Sequence, residues 1–277
     1  MNKSIVWLAS YPKSGNTWLR VFLANYIANS TAPVSINEVH ELGTGDALLE
    51  HYRAVAGMGL NVADVASTMR LRAKVLQAIV SNGADVNLVK THNIRRVAWG
   101  VDLIPPQYTR SAIYVMRNPL DMVLSYARHY ELSHDKAAEA ICHPSNGLAA
   151  DQRGVGQLLC SWSEHVACWT QSAPYPVLVL RYEDLLSQPE REFARVIEHF
   201  GMQVDRDRLR RSIQHSSFDE LQQQEKQQGF IERRKSDYAF FGRGQAGVWR
   251  DELDPVLVKR IRQNSKRMMK KYGYWTD

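Results

Sequence analysis

The chain has 277 residues, 44% of them hydrophobic and 23% charged, with 35 lysines and arginines against 29 aspartates and glutamates. That length and balance argue against a disordered or low-complexity protein and suit one large α/β domain over residues 1–277. The net charge of +6 suits an anionic ligand, but equally a nucleic-acid-binding or merely basic surface, so charge by itself chooses nothing.

Three cysteines, Cys142, Cys160 and Cys168, form no CxxC pair. This argues against a disulfide framework or a zinc site and points to a reducing compartment. The apolar run from Ile5 to Ala9 is too short for a signal peptide's apolar region or a membrane span. The expectation is a cytoplasmic protein with no membrane span.

Along the chain, Ile5 to Ala9 reads as a strand buried on both faces, followed by a turn at Tyr11 to Gly15 and a helix from Asn16 to Asn29. Residues 30–60 read as loops and short helices. Val65 to Val80 reads as a helix, and Val86 to Thr91 and Ser111 to Met116 as strands. Asn118-Pro119 opens a helix, with Asn suited to the N-cap and Pro to the first helical position. Gly156 to Gln171 reads as an amphipathic helix that includes Cys160 and Cys168, and Val177 to Leu180 as a fourth strand. Glu190 to Phe200 and Arg206 to Gln214 read as helices, Gln222 to Gly247 as a mobile loop, and Asp254 to Tyr272 as a basic helix. Strands alternating with helices predict a parallel sheet with helices on both faces.

The segment Tyr11-Pro12-Lys13-Ser14-Gly15-Asn16-Thr17-Trp18 combines a strand, a glycine turn and a helix start. Backbone N–H groups and the helix dipole there favour a phosphate or sulfate, and Lys13, Ser14, Asn16 and Thr17 add side-chain donors. It is not a Walker A loop, because its lysine precedes the glycine. On spacing alone, an ordinary turn with an exposed lysine fits as well. Lys90 and His92 fall on one face at the end of a strand, and Arg117 ends the next, with Ser125 two turns into the following helix. A structural histidine and a carboxylate-paired arginine are the plain alternatives.

The first segment resembles the phosphosulfate-binding loop of cytosolic-type sulfotransferases, YPKSGTTW, with Asn16 its one departure. The resemblance implies an α/β, P-loop-like three-layer fold in which helices flank a central parallel sheet. It also implies 3′-phosphoadenosine-5′-phosphosulfate (PAPS) as co-substrate, without a metal. In the same family a KTH motif matches Lys90-Thr91-His92, which implies His92 as general base and Lys90 beside the transferring group, with Lys13. An arginine and serine at the spacing of Arg117 and Ser125 imply a 3′-phosphate site. Tyr182 and Trp18 are implied at the adenine, Ser217 and Phe218 at the nucleotide; Ser14, Gly15, Asn16 and Thr17 at the 5′ phosphates.

Phe240 to Arg250 is similar to the family's FxRKGxxGDWK loop over the 3′-phosphate, so Arg243 and Gly244 join the implied binding set. Here Gly242 stands where the family has its first basic residue, Arg243 replaces its lysine and Val248 its aspartate. The family's dimerisation motif is not matched, and the oligomeric state stays open. The expected function is sulfuryl transfer from PAPS to a hydroxyl or amine of a small-molecule acceptor. The rivals are a P-loop kinase or NTPase, for which a lysine after the loop glycines is lacking, and a non-catalytic nucleotide-binding protein. The basic C-terminal helix reads as a solvated face, with no nucleic-acid motif beside it.

Overall fold

Ile5–Ser10 forms strand β1, and all six of its residues are buried, as a run without polar alternation requires. In this computed structural model, which describes residues 3–57, 59–233 and 238–275, Gly15 turns the chain into helix α1 (Asn16–Ala28). Strand β2 (Thr44–Gly45) and helices α2 (Leu49–Ala56) and α3 (Val65–Val80) precede strand β3 (Asn87–Thr91). A short antiparallel pair, β4 (Val97–Ala98) and β5 (Val101–Asp102), leads to β6 (Thr109–Met116) and then to helices α4 (Pro119–Tyr130) and α5 (His134–Cys142). A second pair, β7 (Gly147–Leu148) and β8 (Gln157–Leu158), leads to α6 (Trp162–Thr170) and β9 (Val177–Arg181). Helices α7 (Tyr182–Ser187), α8 (Pro189–His199), α9 (Arg206–His215), α10 (Phe218–Gln228), α11 (Trp249–Glu252) and α12 (Pro255–Lys271) follow.

The main sheet has five strands in the order β2-β3-β1-β6-β9. It is the expected parallel sheet of an α/β fold, flanked by helices. The chain leaves β1 into the Tyr11–Gly15 turn, β3 into His92 and β6 into Arg117.

Two compact units make up the chain. The first comprises Met1–Tyr11, Gly43–Tyr114 and Ala140–Val179. In it Tyr114 of β6 stacks on Trp169 of α6, with centroids 5.7 Å apart, and Trp7 Nε1 donates to Thr109 Oγ1 at 2.9 Å. A buried ion pair, Arg72 to Asp46 at 2.6 Å, ties α3 to the turn after β2. Such a pair needs further hydrogen bonds to offset its desolvation. Asp46 receives them from Thr91 and Asn93, and Arg72 gives them to the carbonyl of Leu103. The second unit comprises Pro12–Leu42, Val115–Glu139 and Leu180–Asp277. Its core centres on Phe22 of α1, stacked on Phe193 of α8 with centroids 3.9 Å apart.

Two sequence expectations are corrected. The helix read from Gly156 begins only at Trp162, because Ser161 and Glu164 form a capping box that sets its start. Cys160, with φ of 59°, lies outside it. The loop read from Gln222 to Gly247 is helical to Gln228, on an α10 capped by Ser217; residues 234–237 of it lie outside the described residues. Helix α5 and both short antiparallel pairs carry too few residues for their periods to stand out.

Candidate active site

In the second unit, Lys13 takes a left-handed conformation with φ of 65°, as does Gly15 with φ of 107°. A side chain at Gly15 would meet the ring of Tyr182, whose Cδ2 lies 2.9 Å from where a Cβ would stand, so only glycine fits. No side chain caps α1, whose first N–H groups lack intrahelical acceptors and carry the positive end of the helix dipole. Beside them the Ser14 hydroxyl is buried and, among the described residues, has no hydrogen-bond partner. The Arg117 Nε is orphaned in the same way. Leaving such groups buried and unmade is costly. Both fit an anion.

The rest of that arginine is held in place. Its Nη1 donates to the Lys13 carbonyl at 3.4 Å and its Nη2 to the Gln245 carbonyl at 3.2 Å. The guanidinium lies 4.3 Å from the centroid of the Tyr182 ring, a cation–π contact. Burial pushes the Tyr182 phenol up to about 12, so the ring stays neutral. Lys13 Nζ stands 3.6 Å over Phe240. The Thr17 hydroxyl donates to Glu232 at 3.3 Å, while Asn16 accepts from Arg20 Nε at 3.2 Å.

The residues singled out for the nucleotide base come together. Trp18 packs edge-on to Tyr182 at 5.6 Å and to Phe218 at 5.5 Å. Its Nε1 donates to the Ser216 carbonyl at 2.8 Å. Ser217 caps α10, and the ring of Phe218 lies against Gly244 so closely that a Cβ there would clash. Ser125 and Lys13 line one open cleft, together with Arg128, Arg233 and Phe240. Arg243 pairs with Glu252 at the surface.

Two carboxylates hold the Phe240–Arg250 loop, and neither stood out in the sequence. Glu225 accepts from the backbone N–H of Phe240 at 2.6 Å and of Phe241 at 2.9 Å. Asp121, on α4, accepts from Gly247 at 2.8 Å and from Trp249 at 3.1 Å. Arg128 and Arg233 were missed as well. For Arg128 a signal existed, since it follows Ser125 by three residues and shares its helix face.

In the first unit, His92 follows β3 and is half-buried. Its Nδ1–H donates to the Ser10 carbonyl at 2.8 Å, which puts the ring's lone pair on Nε2, a proton acceptor. The backbone on either side is fixed. The His92 N–H donates to Gln157 at 3.2 Å, and its carbonyl accepts from His165 Nε2 at 3.1 Å. Burial pushes His165 down to about 3, so this ring is neutral and its Nδ1 accepts from the Tyr114 hydroxyl at 2.8 Å. Lys90 is half-buried on β3, in register with Leu8 of β1.

Residues 3–273 match the sulfotransferase domain family. The mouse sulfotransferase 1 family member D1 is 23% identical over 276 residues, covering 95% of this chain and 83% of the relative. Cytosolic sulfotransferase 12 of Arabidopsis thaliana is 23% identical over 98% of this chain and 78% of its own length. Among solved structures, a retinol dehydratase in complex with androsterone and the inactive cofactor PAP superposes with a TM-score of 0.64 at 20% identity, over 98% of this chain and 82% of that one. A mouse sulfotransferase, SULT7A1, complexed with PAP gives 0.63 at 17% identity, over 99% and 90%. With left-handed Lys13 and Gly15 around Ser14, a histidine tautomerised by the backbone and a family match over residues 3–273, this chain belongs to the sulfotransferase domain family.

Proposed function

We propose that this protein transfers a sulfuryl group from PAPS to a hydroxyl or amine of a small-molecule acceptor, releasing adenosine 3′,5′-bisphosphate. The observation that carries this reading is the pair of orphaned donors, Ser14 Oγ and Arg117 Nε, buried beside the uncapped start of α1. Such donors await an anion. An ATP-type ligand is the poorer fit, since the loop lysine precedes its glycine.

In this reading the backbone amides from Gly15 to Trp18, with Ser14, Asn16 and Thr17, bind the 5′-phosphosulfate. Arg117, Ser125, Arg243 and Gly244 bind the 3′-phosphate. Trp18, Tyr182, Ser217 and Phe218 form the base site. His92 Nε2 takes the acceptor's proton as the acceptor oxygen or nitrogen bonds to sulfur. The bond from sulfur to the bridging oxygen breaks, its electron pair staying on the 5′-phosphate of the leaving nucleotide. Lys13 and Lys90 stabilise the charge that grows there, by positioned electrostatics rather than covalent chemistry.

A small-molecule acceptor is supported by the likeness to a retinol dehydratase seen with androsterone and with retinol. A cytoplasmic location is supported by the likeness to a cytosolic plant enzyme; no helix among the described residues is long and apolar enough to cross a membrane. The reading invokes neither a metal nor a nucleic-acid partner. The test is a PAPS-dependent screen against a mixed acceptor library in EDTA, with mass detection of an added sulfuryl group. Turnover in chelator is the expected result. No product with any hydroxyl or amine acceptor would overturn the assignment, and activity restored only by Mg²⁺ would overturn its metal-free chemistry.

A further inference from the structure

We propose that Arg128 supplies the cation that Gly242 lacks, as a direct ligand of the donor's 3′-phosphate. The inference rests on the PAPS reading and adds to it a residue outside the family's signature. A Cβ at Gly242 would stand 3.3 Å from Arg128 Nη2 and 3.7 Å from both Cζ and Nη1. The guanidinium of α4 thus lies against the backbone spot from which a basic side chain would otherwise start. Gly242 does not have a positive φ, so its backbone conformation does not demand glycine; the nearness of Arg128 is what an added side chain would disturb.

Three further observations give that position its chemistry. Ser125 and Arg128 are three residues apart on α4, on one face, and both line the cleft that also holds Lys13. Among the described residues, Arg128 makes no hydrogen bond or ion pair. Its electrostatic neighbours are of both signs, Arg243 and Arg117 repelling it and Glu252 and Tyr238 attracting it. Partial burial, with the charges of Arg243 and Arg117, pushes its pKa down against the pull of Glu252 and Tyr238; Glu252 is itself engaged by Arg243. A half-buried guanidinium near two other arginines, beside a serine hydroxyl and an open cleft, suits a dianion that two or more of these cations share.

The test is calorimetric titration of the full chain with adenosine 3′,5′-bisphosphate and, in a second arm, with AMP, which lacks the 3′-phosphate. In Arg128→Ala, and in Arg128→Gln, which keeps a long polar side chain without charge, bisphosphate affinity is expected to fall roughly 10- to 100-fold, the worth of a charge-assisted hydrogen bond. AMP affinity should change less than about twofold, because its phosphate sits elsewhere. Adding Gly242→Arg to Arg128→Ala should restore most of the loss, whereas Gly242→Arg alone should gain little, since the two side chains would compete for one place. Unchanged bisphosphate affinity in both Arg128 variants overturns the proposal while leaving the PAPS reading intact. Equal losses for both ligands also overturn it. A wild-type chain that binds the bisphosphate no better than AMP overturns the PAPS reading and this proposal with it.

Discussion

The Nδ1–H of His92 donates to the backbone carbonyl of Ser10 at 2.8 Å, so one main-chain oxygen of β1 decides which ring nitrogen can take a proton. A backbone acceptor is not removed by substitution, and the tautomer is accordingly robust. His92→Ala is expected to keep nucleotide binding while turnover falls roughly 10²–10⁴-fold, the usual worth of a general base. Lys13→Ala should damage both, because in the proposed reading it meets the donor before and during transfer. Near-normal turnover in His92→Ala with an aliphatic alcohol would sink the base assignment.

His165 makes a pH prediction. Folding lowers its pKa from 6.5 to about 3 through burial, so the unfolded chain binds a proton in that interval and the folded one does not. The stability it contributes is fully present above about pH 6.5 and is lost as pH falls toward 3, at up to about 1.4 kcal/mol per pH unit. Urea unfolding at pH 7 and pH 5 measures the slope. His165→Gln, which cannot titrate, should show a shallower one; identical slopes would mean that folding does not lower the ring's pKa.

Adenosine 3′,5′-bisphosphate should raise the melting temperature more than ATP or AMP at equal concentration, since the tighter ligand stabilises more. The motive is the set of 3′-phosphate candidates that ATP leaves unused, Arg117 first, with its orphaned Nε. Equal shifts with ATP, enhanced by Mg²⁺, would favour the kinase rival.

Arg243 is engaged by Glu252 across an exposed surface, and pairs of that kind are worth about 0–1 kcal/mol. Binding therefore has only a weak bond to exchange. Glu252→Gln should tighten bisphosphate binding by no more than about fivefold. Arg243→Ala should weaken it roughly 10- to 100-fold. Calorimetry on the two variants checks both numbers, and unchanged affinity in Arg243→Ala would show that the loop contributes no ligand.

The local grammar of the chain was legible without the fold. The continuous apolar run of β1, the glycine after Ser14, the Asn118-Pro119 start of α4 and the helical periodicity along the 16 residues of α3 are each local patterns, where propensity and capping decide the outcome. The helix start at Trp162 was legible in the same way, through Ser161 and Glu164, and the amphipathic pattern upstream concealed it. What only tertiary structure decided is which distant residues serve the site. Asp121 reaches Gly247 over 126 residues, His165 reaches His92 over 73, and Arg128 comes to stand over Gly242. None of these pairs shares a period or a motif. The order of strands in the sheet and the packing of helices bring them together, and those depend on burial summed over the whole chain rather than on any local pattern.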